Sequence, residues 1–292
     1  MPVKKAVIPA AGLGTRLYPI TKSQPKEMLP LGRKPAIQVV VEEVLAAGIT
    51  DICIVTGKDK RAIEDHFDAA VNMQAPPDGD LFPPALRNGT AHIYYVRQPE
   101  PKGLGDALIH AEAFVGDERF LVALGDAVIS GTAECGDLSK RMDTVMEATH
   151  ADGVVAVRKV SRTQVSDYGI IDPMGDIAAQ AHFAVGDLVE KPAVDEAPSS
   201  IAIAGRYLLG PIIFDYLKET PPGAGGEVQL TDALRRMTLD REAVWAVLMN
   251  SGEQRYDVGN FLQYSRAFIR FSLDDPEVGV AVREYIQRII AD

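Results

Sequence analysis

The first half of the chain alternates short apolar runs with segments of helical periodicity. Apolar runs bounded by turn residues predict strands, and apolar residues at i, i+3, i+4 and i+7 predict amphipathic helices. The strands are predicted at residues 6–8, 51–56, 92–97 and 120–124, and the helices at residues 35–47, 60–68 and 105–113. Gly48 follows the first helix in the position typical of a C-terminal cap. This alternation predicts a parallel sheet with helices on both faces.

The second half is less regular. Its predicted strands are residues 152–160, 168–172, 187–190, 201–209 and 242–249, and its predicted helices are residues 212–219 and 230–240. Residues 261–290 have a helical pattern that breaks near Pro276, and residues 69–90 are rich in proline and lack a regular pattern. We find no repeat and no clear linker, so residues 1–292 are predicted to form one domain. The predicted fold is a Rossmann-like three-layer α/β/α arrangement around a mixed, mainly parallel sheet.

Composition narrows the functions open to the chain. The formal net charge of −11 argues against a general nucleic-acid or membrane-surface binder. The two cysteines, Cys53 and Cys135, form no metal motif, and no apolar run is long enough for a signal peptide or a membrane span. We therefore expect a cytoplasmic protein. An anionic nucleotide would be repelled by such a chain unless basic side chains and a divalent cation line its pocket.

A glycine-containing turn follows the first predicted strand. Residues 10–16 read AAGLGTR, and Lys22 and Lys26 come shortly afterwards. A strand that ends in such a turn lets backbone N–H groups approach phosphate oxygens closely. The P-loop motif is absent, and Leu17 replaces the third glycine of the dinucleotide-binding motif. The turn therefore predicts a nucleotide site that belongs to neither of these two common types.

Four residues fall just after predicted strands. They are Gly12, Thr56, Gln98 and Asp126. Ligands of parallel sheets bind at the carboxyl ends of the strands, so these residues are expected to converge on one edge. A carboxylate in that position, such as Asp126, suits a divalent cation.

Ordered motifs along nearly the whole chain carry a specific resemblance. They are AVIPAAGLGTRLYPITKSQPKEMLP from residue 6, VTGKDKRAIEDHFD from 55, RQPEPKGLGDA from 97, LGDA from 124, YGII from 168, LVEKP from 188, GEVQLTDAL from 226 and YDVG from 256. Together they resemble the sugar-1-phosphate nucleotidylyltransferase family, and in particular its bacterial members that act on UTP and glucose 1-phosphate. The resemblance implies a fold of the nucleotide-diphospho-sugar transferase type.

The resemblance also implies a reaction. UTP and α-D-glucose 1-phosphate would give UDP-glucose and diphosphate by direct in-line attack with Mg²⁺. The attacking phosphate is already ionised near neutral pH, so positioning and charge neutralisation would provide most of the catalysis. Residues 1–130 would mainly bind the nucleotide, and residues 151–260 the sugar phosphate. Residues 261–292 would form a helical segment for contact in a homodimer or homotetramer.

The resemblance assigns roles to individual residues. The catalytic residues would be Arg16, Lys26, Asp126 and Lys191. The nucleotide-binding residues would be Ala10, Ala11, Gly12, Gly14, Thr15, Gln98 and Gly103. The sugar-phosphate-binding residues would be Gly169, Glu190, Lys191 and Glu227. The metal ligands would be Asp126 and Asp257.

Two positions depart from the pattern of the family. Asp106 stands where related uridylyltransferases usually carry the histidine of GLGHA, and Ala127 stands where some relatives have a second acidic residue. Three alternatives therefore stay open: a thymidylyltransferase, an enzyme for another sugar 1-phosphate, and a catalytically silent regulatory paralogue. The PKEMLP segment favours UTP and glucose 1-phosphate, because thymidylyltransferases more typically carry a lysine-glutamine-leucine-leucine-proline version.

Overall fold

A computed structural model describes residues 2–68, 82–131, 134–177 and 180–291. Residues 69–81 of the irregular segment 69–90 lie outside these ranges. Within the described remainder, Pro84–Arg87 form a short helix, so the expected lack of regular structure is wrong there. The strands are β1 Lys5–Pro9, β2 Pro30–Leu31, β3 Lys34–Pro35, β4 Asp51–Thr56, β5 His92–Arg97, β6 Phe120–Ala123, β7 Ala127–Ser130, β8 Gly153–Lys159, β9 Gly169–Pro173, β10 His182–Glu190, β11 Ile201–Leu209, β12 Val244–Leu248 and β13 Gln254–Asp257.

Helices pack around these strands. The helices are α1 Ala36–Ala46, α2 Arg61–Phe67, α3 Pro84–Arg87, α4 Leu104–Ile109, α5 Glu112–Val115, α6 Asp137–Thr149, α7 Ile213–Glu219, α8 Leu230–Leu239, α9 Phe261–Asp274 and α10 Gly279–Ala291. Short 3-10 helices follow the glycine turn, at Thr15–Leu17, Ile20–Lys22 and Lys26–Met28. Among the described residues, no helix combines the length and the apolar character needed to cross a bilayer.

One nine-stranded sheet forms the centre, in the order β5-β4-β1-β6-β11-β8-β12-β10-β9. The four strands from the first half are parallel to one another, as predicted. Strand β11 runs antiparallel to both β6 and β8, and β10 runs antiparallel to both β9 and β12. The sheet is mixed, as predicted, but its parallel part is largely confined to the first half of the chain.

Two apolar clusters cover the two faces of the sheet. Successive residues of β1 alternate between them, since Ala6 and Ile8 join one cluster and Val7 joins the other. The first cluster includes residues of α1 and α6, and the second includes residues of α4, α7 and α8. This division confirms the predicted three-layer α/β/α arrangement.

Some elements differ from the sequence pattern. The predicted helix at 105–113 is divided into α4 and α5, and α6 was not predicted. Strand β10 begins at His182, five residues before its predicted start. Strands β7 and β13 pair with each other in a separate antiparallel sheet, which no local pattern indicated. The predicted break in the C-terminal helical segment is confirmed, because α9 ends at Asp274 and α10 begins at Gly279.

Candidate active site

The turn after β1 has the conformation that its glycines permit. Gly14 has a φ of 68°, a left-handed conformation that glycine adopts without strain. Its carbonyl oxygen accepts a hydrogen bond from the Thr21 hydroxyl at 2.9 Å. Leu17, which replaces the third glycine of the dinucleotide-binding motif, is fully buried in the first apolar cluster. The residue that breaks the common motif therefore anchors the turn to the core.

A cavity of about 380 Å³ opens beside this turn. Its lining includes predicted site residues from the segments that follow β1, β5 and β6, and one from the segment just before α8. They are Ala11, Gly12, Gly14, Thr15, Lys26, Gln98, Gly103, Asp126 and Glu227. The convergence expected at the carboxyl edge of the sheet therefore holds for Gly12, Gln98 and Asp126. We call this space the first cavity.

Lys26 and Asp126 form an ion pair in the first cavity. Lys26 Nζ lies 2.5 Å from Asp126 Oδ2, and both side chains are mostly buried. Burial alone would favour the neutral amine, but the attraction of Asp126 and Glu27 outweighs it and raises the pKa of Lys26. Burial likewise opposes ionisation of Asp126, but Lys26 prevails and lowers the pKa of Asp126 to about 2. Both groups are therefore charged near neutral pH.

A second buried ion pair lies behind the first. Lys60 Nζ donates to Glu27 Oε2 at 2.8 Å, and their side chains are only 6% and 1% exposed. Burial raises the pKa of Glu27, against the attraction of Lys60 and Lys26. Glu27 is next to Lys26 in the sequence, so this pair fixes the backbone that carries the Lys26 side chain.

The two-stranded sheet of β7 and β13 brings Asp257 close to Asp126, although the two residues are 131 positions apart in the sequence. Asp257 on β13 is paired with Ala127, the first residue of β7, and Val258 donates its N–H to the Asp126 carbonyl at 2.8 Å. The Asp257 carboxylate accepts from the Gly259 N–H at 2.8 Å, and Arg16 Nη2 lies 3.6 Å from it.

The position of Gly259 shows how close the charged groups are. A Cβ atom at Gly259 would lie 2.8 Å from Arg16 Nη2, 2.9 Å from Asp257 Oδ1 and 3.5 Å from Asp126 Oδ2. The two carboxylates therefore face the same small space, which a side chain would fill. No group of three or more His, Cys, Asp or Glu side chains suited to a metal occurs in the described part of the chain. Two carboxylates with open positions fit Mg²⁺, which commonly takes its remaining ligands from water and substrate phosphates.

A buried arginine supports this arrangement from behind. The Arg206 side chain is fully buried and donates to both carboxylate oxygens of Glu43, at 2.9 and 2.7 Å. Its Nη2 also donates to the Ala127 carbonyl at 2.9 Å. Ala127 follows Asp126 directly, so Arg206 holds the peptide beside the candidate metal ligand. Sequence reasoning missed this residue because it lies in the apolar run of β11.

Gln98 and Gly103 lie at another part of the first cavity. The Gln98 amide nitrogen donates to the Gly103 carbonyl at 3.1 Å and to Asp106 Oδ2 at 2.6 Å. Gly103 has a φ of 102°, and a Cβ atom there would lie 2.7 Å from the Val228 carbonyl. Only glycine fits this position without strain. Asp106, one of the two departures from the family pattern, is therefore a direct partner of Gln98.

A second cavity of about 140 Å³ adjoins the first, since Leu104 and Leu124 line both. Gly169 and Glu190 line it, and Glu190 accepts a hydrogen bond from the Thr231 hydroxyl at 2.7 Å. A Cβ atom at Gly169 would lie 3.1 Å from Glu190 Oε2, so this backbone closely approaches the carboxylate. Two of the four residues predicted to bind the sugar phosphate therefore lie at the second cavity.

Two arginines near the second cavity were not predicted as site residues. Arg255 lines that cavity, is 8% exposed, and donates through Nε to the Ala204 carbonyl at 3.1 Å. Arg158 and Arg255 both lie over the Tyr168 ring, at 5.0 and 5.3 Å from its centroid. Arg255 Nη1 is buried and has no hydrogen-bond partner among the described residues. The signal available in the sequence was that Arg255 directly precedes the YDVG motif.

The positions of the remaining predicted residues vary. Glu227, predicted to bind the sugar, lines the first cavity, because its Cβ lies beside Gly103. Thr56 is fully buried and donates to Glu64, so it turns away from the expected convergence. Arg16 and Lys191 have side chains that are 64% and 57% exposed. Ala10 is buried, and its N–H donates to the Val55 carbonyl at 2.9 Å.

Comparisons with known proteins place the chain in a family. The model of the family described as nucleotidyl transferase matches residues 5–272. The chain therefore belongs to the nucleotidyl transferase family, and its fold is that of the nucleotide-diphospho-sugar transferases.

The comparisons also find individual relatives. A UTP–glucose-1-phosphate uridylyltransferase of Streptococcus pyogenes is 45% identical, with 98% of this chain and 94% of the relative covered. A crystal structure of a UDP-glucose pyrophosphorylase complexed with UDP-glucose has a TM-score of 0.83 and 38% identity, covering 94% of this chain and 100% of that chain. A UTP-bound UGPase from Acinetobacter baumannii has a TM-score of 0.84 and 33% identity, covering 98% of this chain and 99% of that chain.

Proposed function

We propose that the protein transfers a uridylyl group from UTP to α-D-glucose 1-phosphate and releases diphosphate. The observation that carries the proposal is the charged group formed by Lys26, Asp126 and Asp257 beside two adjoining cavities. The first cavity would take the nucleotide and the second the hexose. Relatives named for this activity, and similar structures with UTP or UDP-glucose, support the choice of substrates.

The reaction needs little from the protein as an acid or base. A phosphate oxygen of the sugar phosphate attacks the α-phosphorus of the triphosphate, the bond to the bridging oxygen breaks, and diphosphate leaves. Both reactants are anions, so the residues must hold them in line and offset their charge. Lys26 offers a permanent positive charge in the first cavity, and Arg16 and Lys191 offer exposed cations that can meet phosphates.

Asp126 and Asp257 would hold the divalent cation, which we propose to be Mg²⁺. When bound, the cation would neutralise the developing charge on phosphate oxygens. The lowered pKa of Asp126 keeps this ligand ionised. The close approach of both carboxylates to Gly259 supports a shared cation between them. The bonds from Val258 to the Asp126 carbonyl and from Gly259 to Asp257 hold both ligands in place.

In the second cavity, Glu190 would accept hydrogen bonds from glucose hydroxyls. The Thr231 hydroxyl holds one of its oxygens, and Lys191 Nζ lies 3.6 Å from the other. Gly169 has no side chain, so its backbone would leave room for the hexose. Arg255 adds a buried cation that sequence reasoning did not supply.

A panel of pyrophosphate-release assays tests the function. The purified protein is mixed with Mg²⁺, glucose 1-phosphate and each of UTP, dTTP, CTP, ATP and GTP in turn. We expect the highest kcat/KM with UTP. Faster turnover with dTTP would make the protein a thymidylyltransferase. The panel is repeated with galactose 1-phosphate and mannose 1-phosphate, and faster turnover with either would change the second substrate. No diphosphate release with any combination would establish the silent paralogue instead.

Two variants test the placement of the site. Lys26→Ala and Asp126→Ala should each lower kcat/KM by at least about 100-fold, because each removes a charge that stabilises the transition state. Lys4→Ala is the matched control, since it removes an exposed lysine just before the amino end of β1, opposite the candidate site. Near-normal kinetics in either site variant would show that the site is elsewhere.

We also propose that the protein works as a homodimer or homotetramer in the cytoplasm. Helices α9 and α10 expose large apolar side chains, including Phe268, Ile269, Tyr285 and Ile290. Both cysteines are free thiols, as in a reducing compartment. Sedimentation velocity should show an oligomer, and Ile269→Glu/Tyr285→Glu should shift it toward the monomer. A monomeric wild-type protein would refute the oligomer.

A further inference from the structure

The side chain of Gln98 is held in one orientation by its two partners. Its amide nitrogen carries two hydrogens, and the two bonds to Gly103 and Asp106 use both. A backbone carbonyl and an ionised carboxylate only accept hydrogen bonds. If the amide were turned over, its oxygen would face two acceptors at 3.1 and 2.6 Å. The chemistry of the partners therefore fixes which end of the amide is nitrogen.

This orientation leaves the amide oxygen for a ligand. Gln98 lines the first cavity and is only 4% exposed, and no donor among the described residues reaches its Oε1 atom. The amide oxygen is not among the buried polar atoms that lack a partner, so it is open to the first cavity, where a ligand can supply the hydrogen. The backbone of Gln98 is also fixed, because its N–H donates to the Thr56 carbonyl at 2.8 Å at the end of β5.

We propose that Asp106 is a specificity-determining residue that turns the Gln98 amide oxygen toward the base and so selects a base that carries a hydrogen on its ring N3 atom. The inference rests on the proposed function. Uracil and thymine carry an imide N–H at N3, which can donate to this oxygen. Cytosine has an unprotonated N3, which is an acceptor, and would place two acceptors against each other. Asp106 acts through Gln98 and is a positioning residue.

Asp106 contributes more than the Gly103 carbonyl to holding the Gln98 amide in this orientation. Its bond to Gln98 is the shorter of the two, and a hydrogen bond to a charged acceptor is roughly twice as strong as a neutral one. Asp106 lies in the first turn of α4, which begins directly after Gly103, so both partners of Gln98 belong to one short segment. An asparagine at 106 could present either its oxygen or its nitrogen to Gln98, and would no longer fix the amide.

The test compares UTP with CTP in three variants. Wild-type protein should show a high ratio of kcat/KM for UTP over CTP. Asp106→Asn and Asp106→Ala should each reduce that ratio at least about 10-fold, while Asp106→Glu, which keeps an acceptor-only carboxylate, should retain most of it. Glu100→Gln is the matched control, because it removes an exposed carboxylate from the loop that precedes α4 and should leave the ratio unchanged.

The outcomes separate this inference from the proposed function. Wild-type protein without turnover on any triphosphate would overturn the function. Calorimetric binding of UTP and CTP, without glucose 1-phosphate, would then still test the orientation of Gln98. An unchanged UTP-to-CTP ratio in both Asp106→Asn and Asp106→Ala would overturn the inference, even with an active enzyme. If kcat/KM fell equally for UTP and CTP, Asp106 would have only a structural role, and the inference would also be overturned.

Discussion

Replacing Glu43 with leucine should test how much the fold depends on the buried Arg206. The Arg206 side chain is fully buried, and Glu43 accepts two of its hydrogen bonds. In Glu43→Leu, Arg206 would keep its bonds to the Gly205 and Ala127 carbonyls but lose the one carboxylate that pairs with it among the described residues. A buried charge left without its partner costs about 3–5 kcal/mol.

That cost is large against the total stability of a domain, which is about 5–15 kcal/mol. Thermal unfolding followed by circular dichroism should therefore show a fall in Tm of about 6–20 °C. The double variant Glu43→Leu/Arg206→Met removes both charges and should recover most of the lost stability, because a well-packed apolar pair often equals a buried ion pair.

The same perturbation should reach the site. Arg206 holds the Ala127 carbonyl, and Ala127 follows Asp126 directly. We therefore expect a lower kcat/KM in Glu43→Leu even at a temperature well below its Tm. A stability loss of less than about 1 kcal/mol, or a double variant less stable than the single one, would refute the assigned role of the pair.

Three further predictions concern other parts of the molecule. Thr231→Val removes the hydroxyl that donates to Glu190. The KM for glucose 1-phosphate should therefore rise about 10-fold, while the KM for UTP stays within about twofold. Equal changes in both KM values would contradict the assignment of the second cavity. Gly103→Ala should lower the free energy of unfolding, measured in urea, by at least about 1 kcal/mol. The new Cβ would clash with the Val228 carbonyl, and residue 103 has a positive φ that alanine rarely adopts. An unchanged midpoint of urea unfolding would contradict this prediction. Burial lowers the pKa of His66 below 6.5, so the unfolded chain binds more protons than the folded one in that range. The unfolding free energy should therefore fall as the pH is lowered through 6.5, and His66→Gln should weaken that dependence; identical pH profiles for both proteins would show that His66 does not contribute.

The sequence predicted the parallel half of the sheet well because each strand there is a continuous apolar run. It missed α6 although the helix carries a signal: Leu138, Met142, Val145 and Met146 recur at helical spacing and are buried. Polar residues between them dilute that pattern, and a glycine-rich segment precedes it. The pairing of β7 with β13 had no local signal, because it joins segments more than 120 positions apart.

The candidate site shows the same limit. Strand ends and glycine turns indicated Gly12, Gln98 and Asp126, which the structure brings to one cavity. The residues that support the site do so through contacts with residues far away in the sequence, which no local pattern indicates. Arg206 lies within an apolar run, and its partner Glu43 is 163 positions away on α1. In the sequence, Asp106 is only a departure from a family motif, whereas the structure shows that it accepts a hydrogen bond from Gln98.

The pairing of β7 with β13 has a consequence for how the protein is made. Asp126 emerges from the ribosome 131 residues before its companion Asp257. An incomplete chain that stops before β13 can contain the whole glycine turn and still lack the second carboxylate. A nascent or truncated chain therefore cannot bring the two carboxylates together until β13 has been made.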